Sequence, residues 1–523
     1  MGHYVIAVGG TGNKILESIV YAACADAFYT VDEKGVRVPL SRLGLLSVDV
    51  DAACGNTTRA KRAAEAYEAV RQSLVRSPWE RPCFHTEVAL DRWSLNLSRR
   101  AASVEQMAQG HSQDQLLART LFSRTEMELE YSEGFRGHPD LGVLFFADLL
   151  GTLDEARAGG QPDELNALID QMEADIAHGE DVHLILCGSI FGGTGASGIP
   201  ALSKYLHRRF AGSLSHFIMG AMLMMPYYKV PPAQVDERVE IAVHSEDFLD
   251  KARTALQYYG MEGMIRDGET DEHGLFDAVY LLGLPPEQFV STRIYSTGSQ
   301  SQENDAHILE WLASRCVAQF MRTGFRGADA HNIDCYYYQW HSAQLSWASF
   351  DADSAHYQAR YGALLKAAAV FLTECHPTLE RWIRYGDRRA ARVSYCAAFF
   401  HGLRRFNASR RAELEGHVDA LAQFLGFFVH WIQQVINSLP PIMQPASLAD
   451  SALLDTLAQS ADGDQSGSIS IQKGLAQLVH SNVPDRRDMT WVIRSLGSGG
   501  SAREPDLAFA SFLTALLSAV YEA

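Results

Sequence analysis

The sequence predicts an α/β protein, with a doubly wound parallel sheet in residues 1–325 and a mostly helical C-terminal region in residues 326–523. Three observations predict it. Short β-rich runs alternate with helix-patterned segments through the first part of the chain. Those runs are almost continuously apolar, as expected for parallel strands covered on both faces. Beyond about residue 340 only helical periodicity remains.

The elements follow in order. "YVIAV" (Tyr4–Val8) reads as the first strand, running through glycines into the helical "NKILESIVYAACADAF" (Asn13–Phe28). "LGLLSVD" (Leu43–Asp49) is the next strand. "DELNALIDQMEADIAHG" (Asp163–Gly179) has apolar residues at helical spacing and precedes the strand "DVHLILCG" (Asp181–Gly188). The helical "ASGIPALSKYLHRRF" (Ala196–Phe210), the strand "HFIMGAMLMM" (His216–Met225), the helical "EIAVHSEDFLDKARTALQYYG" (Glu240–Gly260) and the strand "DAVYLLG" (Asp277–Gly283) complete the alternation. Such an order places ligands at the carboxyl ends of the strands. Further on, "HYQARYGALLKAAAVFLTEC" (His356–Cys375) and "RRAELEGHVDALAQFLGFFVHWIQQVINSL" (Arg410–Leu439) are helical. "SADGDQSGSIS" (Ser460–Ser470) and "GSGGSAREPD" (Gly497–Asp506) read as loops, and no internal repeat is visible.

Bulk composition narrows the function. The chain has 523 residues, 47% hydrophobic and 21% charged, with a formal net charge of −18. That balance argues against a nucleic-acid-binding surface and against an anionic membrane as partner, because both need clustered Lys and Arg. It leaves an anionic small ligand open, since glycine loops and helix ends supply a local positive field. The eight cysteines are scattered without a CxxC pair, which reads as reduced thiols of a cytoplasmic protein. "VIAVGG" is too short for a signal peptide, and the most hydrophobic helix, Ala420–Ile436, is interrupted by His430, Gln433 and Gln434, so no transmembrane segment is expected.

Two stretches carry the chemistry. "VGGTGN" (Val8–Asn13) and "FGGTGASG" (Phe191–Gly198) each follow a strand and open a helix. Unpaired backbone N–H groups and the positive helix end converge there, and glycine lets phosphate oxygens approach the amides. Thr194 and Ser197 add hydroxyl donors. Neither common phosphate motif is present. The P-loop pattern fails because Lys14 is followed by Ile15, and the dinucleotide fingerprint fails because Ile15 takes the place of its third glycine.

"GGTGASG" resembles the signature of the tubulin and FtsZ superfamily, and about 60% of the chain falls into that superfamily's order of loops. The resemblance implies a Rossmann-like GTP-binding domain through residue 325, a GTP or GDP ligand with Mg²⁺, and head-to-tail self-assembly. Gly9, Gly10, Thr11, Gly12 and Asn13 look like the first nucleotide loop. "LLSVDVDAA" (Leu45–Ala53) looks like the second, with Asp49 beside the nucleotide and Asp51 meeting Mg²⁺ through water. "EGFRGHPDLG" (Glu133–Gly142) is similar to the third, where Gly134, Arg136 and Gly137 would surround the terminal phosphate. Gly192, Gly193, Thr194, Gly195, Ala196 and Ser197 match the fourth, and "LMMPYYK" (Leu223–Lys229) occupies the place of the fifth. "SQSQENDAHILEWLASRCVAQF" (Ser299–Phe320) looks like the start of the central helix, and Asn304 matches the family's guanine-reading Asn.

Plainer readings stand beside these. Asp49 and Asp51 could be turn residues, Pro139 could start a helix, Arg136 could be a surface residue and Asn304 a helix cap. His307 and Glu310 read as surface or packing residues. In the superfamily hydrolysis is completed by acidic residues of a neighbouring subunit. Here "RTGFRGADAHNIDCYYYQW" (Arg322–Trp340) offers Asp329 and Asp334 without the family's pattern, and residues 340–523 do not resemble the usual second domain. The expectation is therefore a self-assembling GTPase. The alternative is a nucleotide-dependent scaffold that recruits a protein partner through its helical C-terminal region. A third, an oxidoreductase with a deviant dinucleotide loop, is kept open.

Overall fold

The computed structural model describes residues 1–51, 54–74, 83–95, 102–109, 112–229, 245–264, 274–291, 304–322, 334–338, 354–400, 408–438, 489–496 and 504–522. Its centre is a seven-stranded sheet formed by β1 (Gly2–Val8), β2 (Arg42–Val48), β3 (Glu87–Arg92), β4 (Val182–Ser189), β5 (Phe217–Met224), β6 (Ala278–Leu282) and β7 (Asp334–Tyr338). All pairings are parallel, in the order β3-β2-β1-β4-β5-β6-β7. The order reverses between β1 and β4, and a crevice outside the carboxyl ends of the strands opens at such a switch point. The strands β1, β4 and β5 are buried along their whole length, which explains their unbroken apolar runs. β3 is an edge strand of mixed polarity, "EVALDR", and has no such run.

Helices cover both faces. Side chains alternate along β1. His3 stacks on His183, which meets Phe320 of α7 (Ile308–Arg322). Tyr4 on the opposite face donates to Asp175 of α4 (Glu164–Ala177) at 2.6 Å. The α7 side also holds α1 (Gly9–Cys24) and α2 (Gly55–Ser73), and the α4 side holds α3 (Pro139–Gly151) and α5 (Thr194–Arg209). A further helix, α6 (Phe248–Met261), reaches α5 through the Lys204–Glu262 ion pair at 2.5 Å.

The C-terminal helices form an outer layer on the α1–α2 side. Helix α8 (Ser354–Val370) continues through a π-turn, Phe371–Cys375, into α9 (His376–Tyr385). The π-turn sits just before Pro377, which has no N–H for a regular helical bond. Helix α10 (Ala408–Asn437) lays Phe424, Phe428 and Trp431 against Tyr21 of α1, and Trp431 also meets Trp311 of α7. The last helix, α11 (Pro505–Glu522), packs on α8 and α10. The apolar interior thus runs from the sheet into the C-terminal layer without a break. Among the described residues no helix is long and apolar enough to cross a membrane.

Candidate functional site

Four loops meet at the carboxyl edge of β1, β2 and β4. Helix α1 opens at Gly9, so the first glycine cluster forms its first turn. Gly9 has φ +77°, a conformation open to glycine at little cost. A Cβ there would stand 3.3 Å from the Gly195 nitrogen and 3.3 Å from Cβ of Thr194. The two GGTG turns, distant in sequence, are therefore in contact, with Val8 and Gly188 side by side in the sheet beneath them.

The third loop closes on the fourth. A Cβ on Gly193 would lie 2.8 Å from Cβ of Phe135 and 3.3 Å from the nitrogen of Gly137. Gly134, Arg136 and Gly137 have φ of +77°, +44° and +79°. Gly134 donates its N–H to the Tyr131 carbonyl at 2.9 Å, and the positive φ of the neighbouring Arg136 and Gly137 is of the kind found in turns that bind anions through backbone N–H groups. Arg136 is not glycine, and holding it there costs roughly 1–2 kcal/mol. From α6, Lys251 Nζ donates to the Gly137 carbonyl at 2.9 Å and ties the loop down.

The second loop completes the ring. A Cβ on Gly134 would be 3.9 Å from Cβ of Asp51, and one on Gly10 would be 3.3 Å from Nδ2 of Asn56. Asp49 accepts from the Asp51 amide at 3.2 Å and from Thr57 Oγ1 at 3.5 Å, while Arg92 donates to the Asp51 carbonyl at 3.1 Å. Both carboxyls are buried. Burial first, and then the charge of Asp51, push the Asp49 carboxyl up to about 7. Two buried acidic groups, one of them raised by the other, suit a divalent cation, whose charge would lower that cost.

Helix ends define the electrostatics. The N-caps of α1, α2 and α5 are Val8, Cys54 and Gly193, with no side-chain cap and no acidic residue in the first turn. Two other helices carry side-chain caps: Asp163 accepts from the Asn166 amide on α4, and Ser123 with Glu126 forms a capping box on Arg124–Glu128; α3 and α6 have no such cap but hold Asp140 and Asp250 in their first turns. The ends of α1, α2 and α5, with neither a side-chain cap nor an acidic first turn, carry an unneutralised positive field.

Of the sequence-predicted loop residues, Gly9, Thr11, Gly12, Gly193 and Gly195 are buried. Gly10, Gly134, Arg136, Gly137, Gly192, Thr194, Ala196 and Asn304 are half-buried and form the rim. Asn13 and Ser197 lie beneath it. Asn13 Oδ1 accepts from Ser47 Oγ at 2.6 Å and its Nδ2 donates to the Gly9 carbonyl at 3.2 Å. Ser197 Oγ donates to the Gly193 carbonyl at 2.8 Å. Both side chains brace loops, with little left for a ligand. Asp329 lies outside the described residues. Asp334 opens strand β7 instead of standing in a loop, with its backbone level with Ala278 of β6.

A charged network below the first loop escaped sequence reasoning. Lys14 forms a buried ion pair with Glu310, and Tyr227 donates to Glu310 Oε1 at 2.5 Å. Arg59 joins Glu17 at 2.6 Å to the Asn304 carbonyl at 2.9 Å. Burial and then Lys14 lower the pKa of His307 to about 3, so His307 and Glu310 are packing residues of the interior. The available signal was Lys14 and Glu17 inside an otherwise apolar helical pattern, since charges on a buried face need partners. A separate cavity of about 1090 Å³ opens between α3, α5 and α6 and meets the fourth loop only at Ala196 and Ser197.

In comparison with known proteins, no family model matches the chain and no curated protein matches it.

Proposed function

We propose that the chain is a GTP-binding protein of the tubulin and FtsZ type, which binds GTP with Mg²⁺ and assembles head to tail with copies of itself. One observation carries this reading above the others: three uncapped helix N-termini and a left-handed loop surround one crevice, at the strand-order reversal of a parallel sheet. In this reading the amides of Gly10–Gly12 and Gly193–Gly195 receive phosphate oxygens. The amides of residues 135–137 gather around the terminal phosphate and register its presence. Asn304 Oδ1, buried and with no hydrogen-bond partner among the described residues, accepts from the guanine edge. Asp51 would hold Mg²⁺, which would neutralise phosphate charge there.

Hydrolysis belongs to the interface between subunits in this reading, with Asp329 and Asp334 as candidates to orient water on a neighbour's nucleotide. One observation favours the second reading, a nucleotide-dependent scaffold with little turnover: the backbone of Asp334 is committed to the sheet. Light scattering and phosphate release, followed together after GTP and Mg²⁺ are added, separate the two. The first reading expects both signals to rise with protein concentration. Scattering and release that stay flat while GTP binds leave the scaffold.

A further inference from the structure

The N-terminus of α7 is fastened in a way that the crevice helices are not. Every amide from Ala306 to Leu309, and that of Asn304, is taken by a side chain. Asn304 N–H donates to Asn56 Oδ1 at 3.0 Å, Ala306 N–H to Gln434 Oε1 at 2.9 Å, and His307 N–H to Glu310 Oε2 at 2.8 Å. Ile308 N–H donates to Ser438 Oγ at 2.9 Å, and Leu309 N–H to His307 Nδ1 at 3.1 Å. Two of these acceptors lie more than a hundred residues away, Gln434 at the far end of the C-terminal helix α10 and Ser438 just past it. An ordinary helix is capped by the residues just before it; this one borrows its caps from the outer layer.

We propose that α10 sets the base-recognition end of the crevice, with Gln434 and Ser438 as positioning residues for Asn304. The argument rests on the GTP-binding reading above. Ser438 Oγ also donates to the Val435 carbonyl at 2.6 Å, so its lone pairs point at the Ile308 amide. Helix α10 cannot slide freely, because Phe424, Phe428 and Trp431 are locked into the aromatic cluster around Tyr21 and Trp311. Its position is thus transmitted over two hydrogen bonds to the turn that carries the unpartnered Asn304 Oδ1. A carboxamide reads a base edge only when held to within a few tenths of an ångström, and losing such alignment removes discrimination before it removes phosphate binding. The C-terminal layer thereby acts on nucleotide choice without touching the nucleotide.

The test uses the full-length chain and compares affinity for GTP and for ITP, which lacks the guanine 2-amino group. Gln434→Leu and Ser438→Ala are each expected to weaken GTP about tenfold and to bring the GTP/ITP ratio toward one, while ITP affinity moves about twofold or less. Gln434→Glu and Ser438→Thr, which keep an acceptor in place, should restore the ratio. If GTP and ITP weaken in parallel and the conservative variants give no rescue, the two residues are merely structural and the proposal is overturned. Variants whose GTP/ITP ratio equals that of the wild type overturn it as well. If the wild-type chain binds no purine nucleotide, the functional reading itself falls, which is a different result.

Discussion

Asp49 and Asp51 follow strand β2 with both carboxyls buried, and this arrangement has a cost that a cation would offset. Asp51→Ala is expected to weaken Mg²⁺–GTP about 10-fold to 100-fold, with GTP measured in excess EDTA little changed. Equal affinity of wild type and variant in Mg²⁺ would remove Asp51 from the metal role. A second expectation comes from His3. Burial first, and then stacked His183, hold its pKa at about 3 against a free value of 6.5. Between those values the unfolded chain takes up a proton and the folded chain does not, so stability rises with pH and is lost on acidification. His3 alone should cost about 2 kcal/mol between pH 7 and pH 5, and His307 adds to the same trend. Urea unfolding at both pH values should show a smaller loss for His3→Leu than for wild type; an identical loss would contradict this. At this scale the glycines were legible, because a strand–glycine–helix junction has few other uses. The bracing role of Asn13 was not, since its partner Ser47 lies on another strand.

Among the elements, α10 joins the outer layer to the half that holds the sheet. Phe424 is fully buried and meets Tyr21, Tyr67 and Phe84. Phe424→Ala should lower unfolding free energy by about 3–5 kcal/mol, through lost transfer energy and the cavity left behind. A loss below about 1 kcal/mol in urea titration would mean that the interface is loose. The sequence displayed strands that were long and apolar and helices with a strong stripe. It hid the rest for physical reasons. Helix α2 buries Ala60, Ala63, Ala64, Tyr67 and Val70, a correct helical spacing written largely in alanine, which carries little hydrophobic contrast. Strand β3 is a mixed-polarity edge, and β7 is only five residues long. Helices α1 and α5 also start earlier than expected, because the glycine loops are themselves their first turns.

At the scale of the whole molecule, a net charge of −18 coexists with one crevice rimmed by backbone N–H groups. The positive field comes from helix ends and left-handed turns instead of from Lys and Arg, so it is local and leaves the outer surface acidic. The parallel sheet was readable from the alternation of elements, and its observed strand order brings the two GGTG turns together. The attachment of the C-terminal helices was not readable, since tertiary partners of an amphipathic stripe are not encoded in its period. The most direct measurement is the nucleotide carried by purified full-length chain, released by acid, identified by chromatography and counted against protein. About one GTP or GDP per chain, or submillimolar GTP affinity after stripping, is the predicted result. A chain that carries no nucleotide and, once stripped, fails to bind GTP at millimolar concentration, or that yields NAD instead, contradicts the account.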